Sequence, residues 1–296
     1  MQKKISENTK SVSDGRKITD YNSRDTFTHM AMREKELLNV ATKKVVTIGK
    51  TMPIREAAEL MANNNIRRIP VVDPGTNKLV GIISARDILD FMGGGDKSKL
   101  MDKEELIKAI NEPVRKIMEE RVKSLSQDRT IQEAVKFFLQ TKVGGAPIVD
   151  DNGIVVGILS ERDLVRTVAG KVTGRLVRDY MTKKPICGTV GMKIDDACKV
   201  MLRNGFRRLP VVKDKDLVGM ITSMDIVKLV AGAKLFEKDL RIEKIMAKPV
   251  ITTERDVDLG ILAQMIVEKE MGAFPVVENK ELVGLITERD LLKAIS

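Results

Sequence analysis

Short apolar runs and amphipathic stretches alternate along the chain in an order that returns four times. Pro70, Pro147, Pro210 and Pro275 each stand before an apolar pair, in "PVVD", "PIVD", "PVVK" and "PVVE". Each run then leads to Gly-apolar-apolar-Ser/Thr-x-x-Asp, written "GIISARD", "GILSERD", "GMITSMD" and "GLITERD". Upstream of the prolines, Ala58, Val135, Cys198 and Ala263 are followed three positions on by Met61, Phe138, Met201 and Ile266. That spacing predicts one buried face of a helix. Cys198 falls on this face and is expected to be core.

Each repeat therefore reads as strand, helix, strand, strand, helix, an α/β (α+β) unit. In the first, "VVTI" is a strand, Pro53 to Met61 a helix, "RIPVVD" and "KLVGIIS" strands around a Pro74-Gly75 turn, and a second helix runs from near Ser84 to Met92. A unit of about 55 residues closes little core alone. Two packed sheet to sheet do better, which predicts two paired modules. The expected divisions are a polar tail (1–37), repeat 1 (38–92), a linker with a short helix in "DKEELIKAI" (93–113), repeat 2 (114–168), a linker (169–176), repeat 3 (177–232), a linker (233–241) and repeat 4 (242–296). The glycines of "GGGDKSKL" fit no phosphate-loop frame and read as a flexible joint.

Composition narrows the class. Of the 296 residues, 43% are hydrophobic and 32% charged, a globular balance. Aromatics are only 3%, so the core is aliphatic and rich in methionine. Apolar runs fall short of the roughly 20 residues that span a bilayer, and the N-terminus is too polar for a signal peptide. With Cys187 and Cys198 isolated, a reducing cytoplasm is the expected location. The net charge of +10 favours anionic partners without choosing among them.

The Ser/Thr-x-x-Asp endings carry the candidate chemistry. Ser or Thr with an acid three residues later is also a helix-capping pattern, and Thr130-Ile131-Gln132-Glu133 is read as a cap alone. The four endings differ, since each follows a Gly-led apolar strand and opens a helix. Their acid is always Asp, the carboxylate less suited to reach back to the cap amide. A helix N-terminus offers free amides to an anion, and a carboxylate beside it can accept ribose hydroxyls. On these residues the repeat resembles the cystathionine-β-synthase (CBS) domain. From about residue 38 to the end the chain is similar to archaeal-type proteins of four such domains, an arrangement also found in the γ subunit of AMP-activated protein kinase.

The resemblance implies clefts that bind adenosine-containing ligands: AMP, ADP or ATP. Asp87, Asp163, Asp225 and Asp290 would hold ribose, and Ser84, Ser160, Thr222 and Thr287 ribose or phosphate. The main chain of 45–47 and 250–252 would lie against adenine. Basic residues just before the proline strand meet phosphate in related proteins. Here they are Arg67-Arg68 and Arg207-Arg208, in repeats 1 and 3. Repeats 2 and 4 carry Gly144-Gly145 and Gly272-Ala273 instead, small residues expected to leave room for a nucleotide. In a strand, neighbours face opposite ways, so at least one arginine of each pair is expected at a phosphate. The bland alternative is an exposed basic edge that discourages sheet pairing. Arg86, Arg162 and Arg289 precede three of the aspartates and are set aside as a solvated helix face or further phosphate contacts.

No catalytic constellation fits. The only histidine, His29, is in the tail, and neither a metal spacing nor a nucleophile-histidine pair is present in the repeats. The expectation is a non-catalytic adenine-nucleotide sensor read by an unidentified partner protein, with no metal, no catalytic cofactor and no membrane. Homodimerisation is left open. The alternatives are a nucleic-acid-binding regulator, disfavoured by the scarce aromatics, or a binder of another adenosyl ligand such as S-adenosylmethionine.

Overall fold

The computed structural model describes residues 37–92, 103–232 and 240–296. The expected tail with His29, the glycine joint and most of the third linker lie outside these. Leu37, counted with the tail, is fully buried against repeats 2 and 4.

Within the described residues, repeat 1 contains β1 (Ile48–Gly49), α1 (Ile54–Asn63), β2 (Arg68–Val72), β3 (Leu79–Ser84) and α2 (Ala85–Met92). The short helix α3 (Lys103–Ile110) follows at the predicted place. Repeat 2 contains β4 (Leu125–Ser126), α4 (Ile131–Thr141), β5 (Gly145–Val149), β6 (Val155–Ser160) and α5 (Glu161–Val168). Repeat 3 opens with α6 (Val177–Tyr180) and β7 (Thr182–Lys183), then β8 (Gly188–Thr189), α7 (Ile194–Arg203), β9 (Arg208–Lys213), β10 (Asp216–Thr222) and α8 (Ser223–Ala231). Repeat 4 supplies α9 (Leu259–Glu268), β11 (Ala273–Glu278), β12 (Glu281–Thr287) and α10 (Glu288–Ile295).

Each proline strand is buried at the proline and the residues on either side of it, as continuous apolar runs require. Each pairs antiparallel with the Gly-led strand that follows and parallel with the repeat's first strand, at Ile48↔Val71, Leu125↔Ile148 and Gly188↔Val211. In repeat 4 the parallel contact is a single bridge, Thr253↔Val276. Cys198 is buried on α7, and burial pushes its thiol up. Thr130 and Glu133 form a reciprocal capping box on α4, the cap expected of them.

Two kinds of contact join the repeats. Sheets meet at their edges within modules: Leu79 donates to the Gly153 carbonyl at 2.9 Å between repeats 1 and 2, and β10 pairs with β12 at Asp216↔Glu281 between repeats 3 and 4. Helices meet across modules. α1 and α2 pack on α8, α2 also packs on α7, and α5 packs on α9 and α10. The apolar cores accordingly unite repeat 1 with repeat 3, and repeat 2 with repeat 4.

Within each module the segment leading into one repeat crosses to the other's Gly-led strand. The four crossings are equivalent: Thr42↔Ile158, Ile82↔Glu119, Leu285↔Thr182 and Met220↔Ala247. They explain the glycine that opens each motif. A Cβ on Gly81 would lie 2.6 Å from Sδ of Met118, and Met246 and Met181 press likewise on Gly219 and Gly284. Gly81→Val is expected to cost about 2 kcal/mol through overpacking, read as a lower urea midpoint at unchanged slope.

Candidate functional site

Each Ser/Thr-x-x-Asp ending lies where a Gly-led strand turns into a helix. The Ser84 backbone N–H donates to Asp87 Oδ2 at 2.8 Å and its hydroxyl at 2.7 Å. The same pair of bonds joins Ser160 to Asp163 (2.8 and 2.6 Å), Thr222 to Asp225 (2.7 and 2.8 Å) and Thr287 to Asp290 (3.0 and 2.7 Å). The expectation that Asp is less suited to reach the cap amide is thus corrected. The extended conformation at the cap residue brings its N–H within reach of the shorter carboxylate. One oxygen of each carboxylate anchors the helix. The other accepts from Arg166 at 3.1 Å in Asp163 and from Lys293 at 3.0 Å in Asp290. Burial pushes the Asp225 carboxyl up, against the bonds from Thr222 that favour its charged form.

Two cavities gather the predicted residues, both using repeats 1 and 2. The larger, about 520 Å³, joins Ser84 and Asp87 to Arg121 and Val122 of the crossing segment and to Arg67, Arg68, Arg207 and Arg208. Thr287 and Glu288 also line it, so all four repeats contribute. The smaller, about 270 Å³, joins Ser160 and Asp163 to Val45 and Val46 of the crossing segment, and again to Arg67 and Arg68. Val45 and Val46 thus sit beside the aspartate of the partner repeat, not of their own. Neither cavity is lined by Thr222, Asp225, Asp290 or 250–252.

The arginine pairs do not form an exposed basic edge. Arg68 and Arg208 open their strands and Arg67 and Arg207 immediately precede them, and all four line the larger cavity. The strand-alternation objection does not apply, because only one of each pair is inside the strand. Arg67, Arg207 and Arg208 meet two buried carboxylates that the motif reading passed over. Glu161 and Glu288, the first residues of α5 and α10, are each 2% exposed. Glu288 accepts from Arg162 Nε at 2.8 Å and Arg67 Nη2 at 3.4 Å, with Arg208 Nη2 at 3.8 Å. Glu161 accepts from Arg289 Nε at 2.6 Å, with Arg207 Nη2 at 3.8 Å. Arg162 and Arg289 are therefore reciprocal links between repeats 2 and 4 and not a solvated helix face.

Gly144 and Gly145 line the larger cavity, and the small residues have a second use beside the one expected. Arg68 Nη1 donates to the Gly144 carbonyl at 2.8 Å, and a Cβ on Gly144 would lie 2.8 Å from Arg207. Gly145 and Gly272 similarly admit Arg68 and Arg208. These glycines make room for guanidinium groups arriving from other repeats.

Six guanidinium groups thus surround two carboxylates, leaving four positive charges uncompensated within the cluster. Burial, reinforced by the neighbouring arginines, lowers Arg68 and Arg208 to about 9, and Arg207 moves the same way. Arg68 and Arg208 stay charged near neutrality. For Glu288, burial acts to raise the carboxyl, but Arg67, Arg208 and Arg162 outweigh it and hold it at about 2. An anion entering here would relieve the mutual repulsion of the guanidiniums.

The CBS domain profile matches residues 35–94, 114–170, 177–232 and 242–296. The chain belongs to the CBS-domain family. The four CBS repeats are packed as two paired modules, as expected from the sequence. The MJ1225 protein of Methanocaldococcus jannaschii is 44% identical over 266 residues, covering 85% of this chain and 95% of its own. The crystal structure of MJ1225, described as that of a candidate archaeal homologue of γ-AMPK, superposes with a TM-score of 0.80 at 40% identity, covering 88% of this chain and all of that one. A 33.4 kDa protein from the ribosomal RNA operon of Thermofilum pendens is 27% identical over 279 residues, 88% of this chain and 91% of its own. Membership in this family supports a ligand-binding, regulatory role. No helix among the described residues is long and apolar enough to cross a membrane.

The signal for Glu161 and Glu288 is present in the CBS motif itself. Repeats 1 and 3, with arginine pairs, have Ala85 and Ser223 after the motif hydroxyl. Repeats 2 and 4, with small residues, have glutamate there. The two alternations are complementary, and read together they predict charge pairs between repeats.

Proposed function

We propose that this CBS protein is a non-catalytic sensor of adenine nucleotides, AMP, ADP or ATP, whose module arrangement is read by a regulated partner protein. The observation that carries this reading is the composition of the two cavities. Each combines a Ser-Asp pair at a helix N-terminus, the backbone of a crossing segment from the partner repeat, and guanidinium groups. In this reading Asp87 and Asp163 grip ribose with the oxygen not committed to the cap, Ser84 and Ser160 assist, and Val45 and Val46 lie against the base in the smaller cavity. Arg67, Arg68, Arg207 and Arg208 take phosphate. Asp225 with Thr222, and Asp290 with Thr287, are the equivalent pairs of repeats 3 and 4. Similarity to a structure described as a candidate homologue of γ-AMPK supports the nucleotide class.

The same charges weigh against the alternatives. A cationic adenosyl ligand such as S-adenosylmethionine would face guanidinium groups in both cavities. For nucleic acid, Arg67, Arg207 and Arg208 are only 15–23% exposed, poorly placed to track an outer phosphate backbone. A ligand shifts the module arrangement only by binding its two states unequally. The arginine-glutamate links between modules provide contacts that an incoming phosphate would alter. Calorimetric titration of the full chain with AMP is expected to give saturable binding, lost at the smaller cavity in Asp163→Asn. Absence of saturation up to millimolar AMP sinks the reading.

A further inference from the structure

Glu161 and Glu288 have no counterpart in the ribose, base or phosphate roles above. Yet they are the most completely buried charged side chains of the described residues, and both line the larger cavity. Glu288 draws on guanidiniums from three repeats: Arg67 from the first, Arg162 from the second and Arg208 from the third. Glu161 holds Arg289 of the fourth and faces Arg207 of the third. Each is 2% exposed. Each occupies guanidinium donors that a phosphate chain would otherwise take, and each repels an approaching phosphate.

We propose that Glu161 and Glu288 are specificity-determining internal anions, which limit the negative charge the larger cavity accepts and so restrain binding of triphosphates relative to monophosphates. The inference rests on the proposed nucleotide site and names what fixes its phosphate count. With both carboxylates in place, four uncompensated charges remain in the cluster. A phosphate monoester brings about −1.5 to −2 at neutral pH, so two bring about −3 to −4, close to the whole excess. Removing one carboxylate raises the excess to five and frees its guanidiniums. The longer, more highly charged chain gains most from both changes. The complementary alternation of arginine and glutamate between repeats is what such a charge limit requires. An arginine pair alone would favour the greatest phosphate number without bound.

The test compares AMP with ATP, and inorganic phosphate with tripolyphosphate, on full-length wild type, Glu161→Gln and Glu288→Gln. Calorimetry reads the nucleotides, and thermal unfolding reads the inorganic anions. Wild type is expected to bind ATP no more than about threefold tighter than AMP. Each glutamine variant is expected to shift the ratio about tenfold towards ATP, a gain near 1.4 kcal/mol. It should shift the stabilisation towards tripolyphosphate likewise. Glu161→Asp, which keeps the charge, is expected to stay near wild type. Equal changes for AMP and ATP, or no change in either ratio, would make the glutamates structural and overturn the inference. So would wild-type ATP binding tenfold or more tighter than AMP, a result that needs no variant to fold. If nucleotides fail to bind but the tripolyphosphate preference still shifts, the nucleotide reading falls and the charge limit stands. If nucleotides bind and neither ratio shifts, the reverse holds.

Discussion

Replacing Arg207 and Arg208 together by alanine is expected to weaken ATP by roughly 100-fold at the larger cavity while leaving adenosine within about threefold. Two charge-assisted hydrogen bonds to phosphate, at about 1.5 kcal/mol each, account for the loss. Arg207 and Arg208 line the larger cavity and not the smaller one. Binding at Ser160 and Asp163 should therefore survive. Arg67 and Arg68 line both, so the double substitution Arg67→Ala, Arg68→Ala is expected to weaken ATP at both sites together. Folding should tolerate the first double variant. Glu288 keeps Arg162 and Arg67, Glu161 keeps Arg289, and two crowded cations are removed. Calorimetry with ATP and adenosine on both double variants separates the cases. Equal losses for adenosine and ATP would mean that the arginines hold the fold and not the ligand.

The sequence made the repeat legible because its signals are local. Proline before an apolar pair, glycine before the motif and the apolar helix positions each report on a few neighbouring residues, and four copies in register remove ambiguity. The partners of those surfaces are not local. The apolar face of α1 says that something covers it, but not that α8 of repeat 3 does. The crossing segments were hidden for the same reason. Thr42 and Ile158 are joined by two hydrogen bonds of 3.0 Å, yet backbone pairing of this kind leaves no mark in side-chain type. The methionines at the crossings were visible only as composition until Met118 and Gly81 were placed together.

The candidate site divides along the same line. The motif aspartates were found from their spacing, although their length was misjudged against the cap geometry. The arginine pairs stood out because burying guanidinium is costly without an anion. The anions that answer them, Glu161 and Glu288, are remote in sequence from the arginine pairs and were passed over. Arg162 and Arg289 were left between a solvated helix face and a phosphate contact for the same reason. Long-range charge pairing appears only when the positions of all four repeats are compared side by side.

Acid should expose how strongly that pairing holds the modules. Glu288 is held at about 2, against an ordinary value of 4.5, chiefly because three guanidiniums outweigh its burial. Its folded value is depressed, so its contribution is fully present above the unfolded value and is lost as pH falls towards 2. The shift corresponds to about 3 kcal/mol, and rather more than half of it should be gone by pH 3. Glu288→Gln forfeits the contribution at every pH. The stability gap between wild type and Glu288→Gln, from urea unfolding at intervals between pH 6 and pH 3, is therefore expected to narrow steadily below about pH 4.5. A gap that stays constant across the range would mean that Glu288 is not ionised among its arginines.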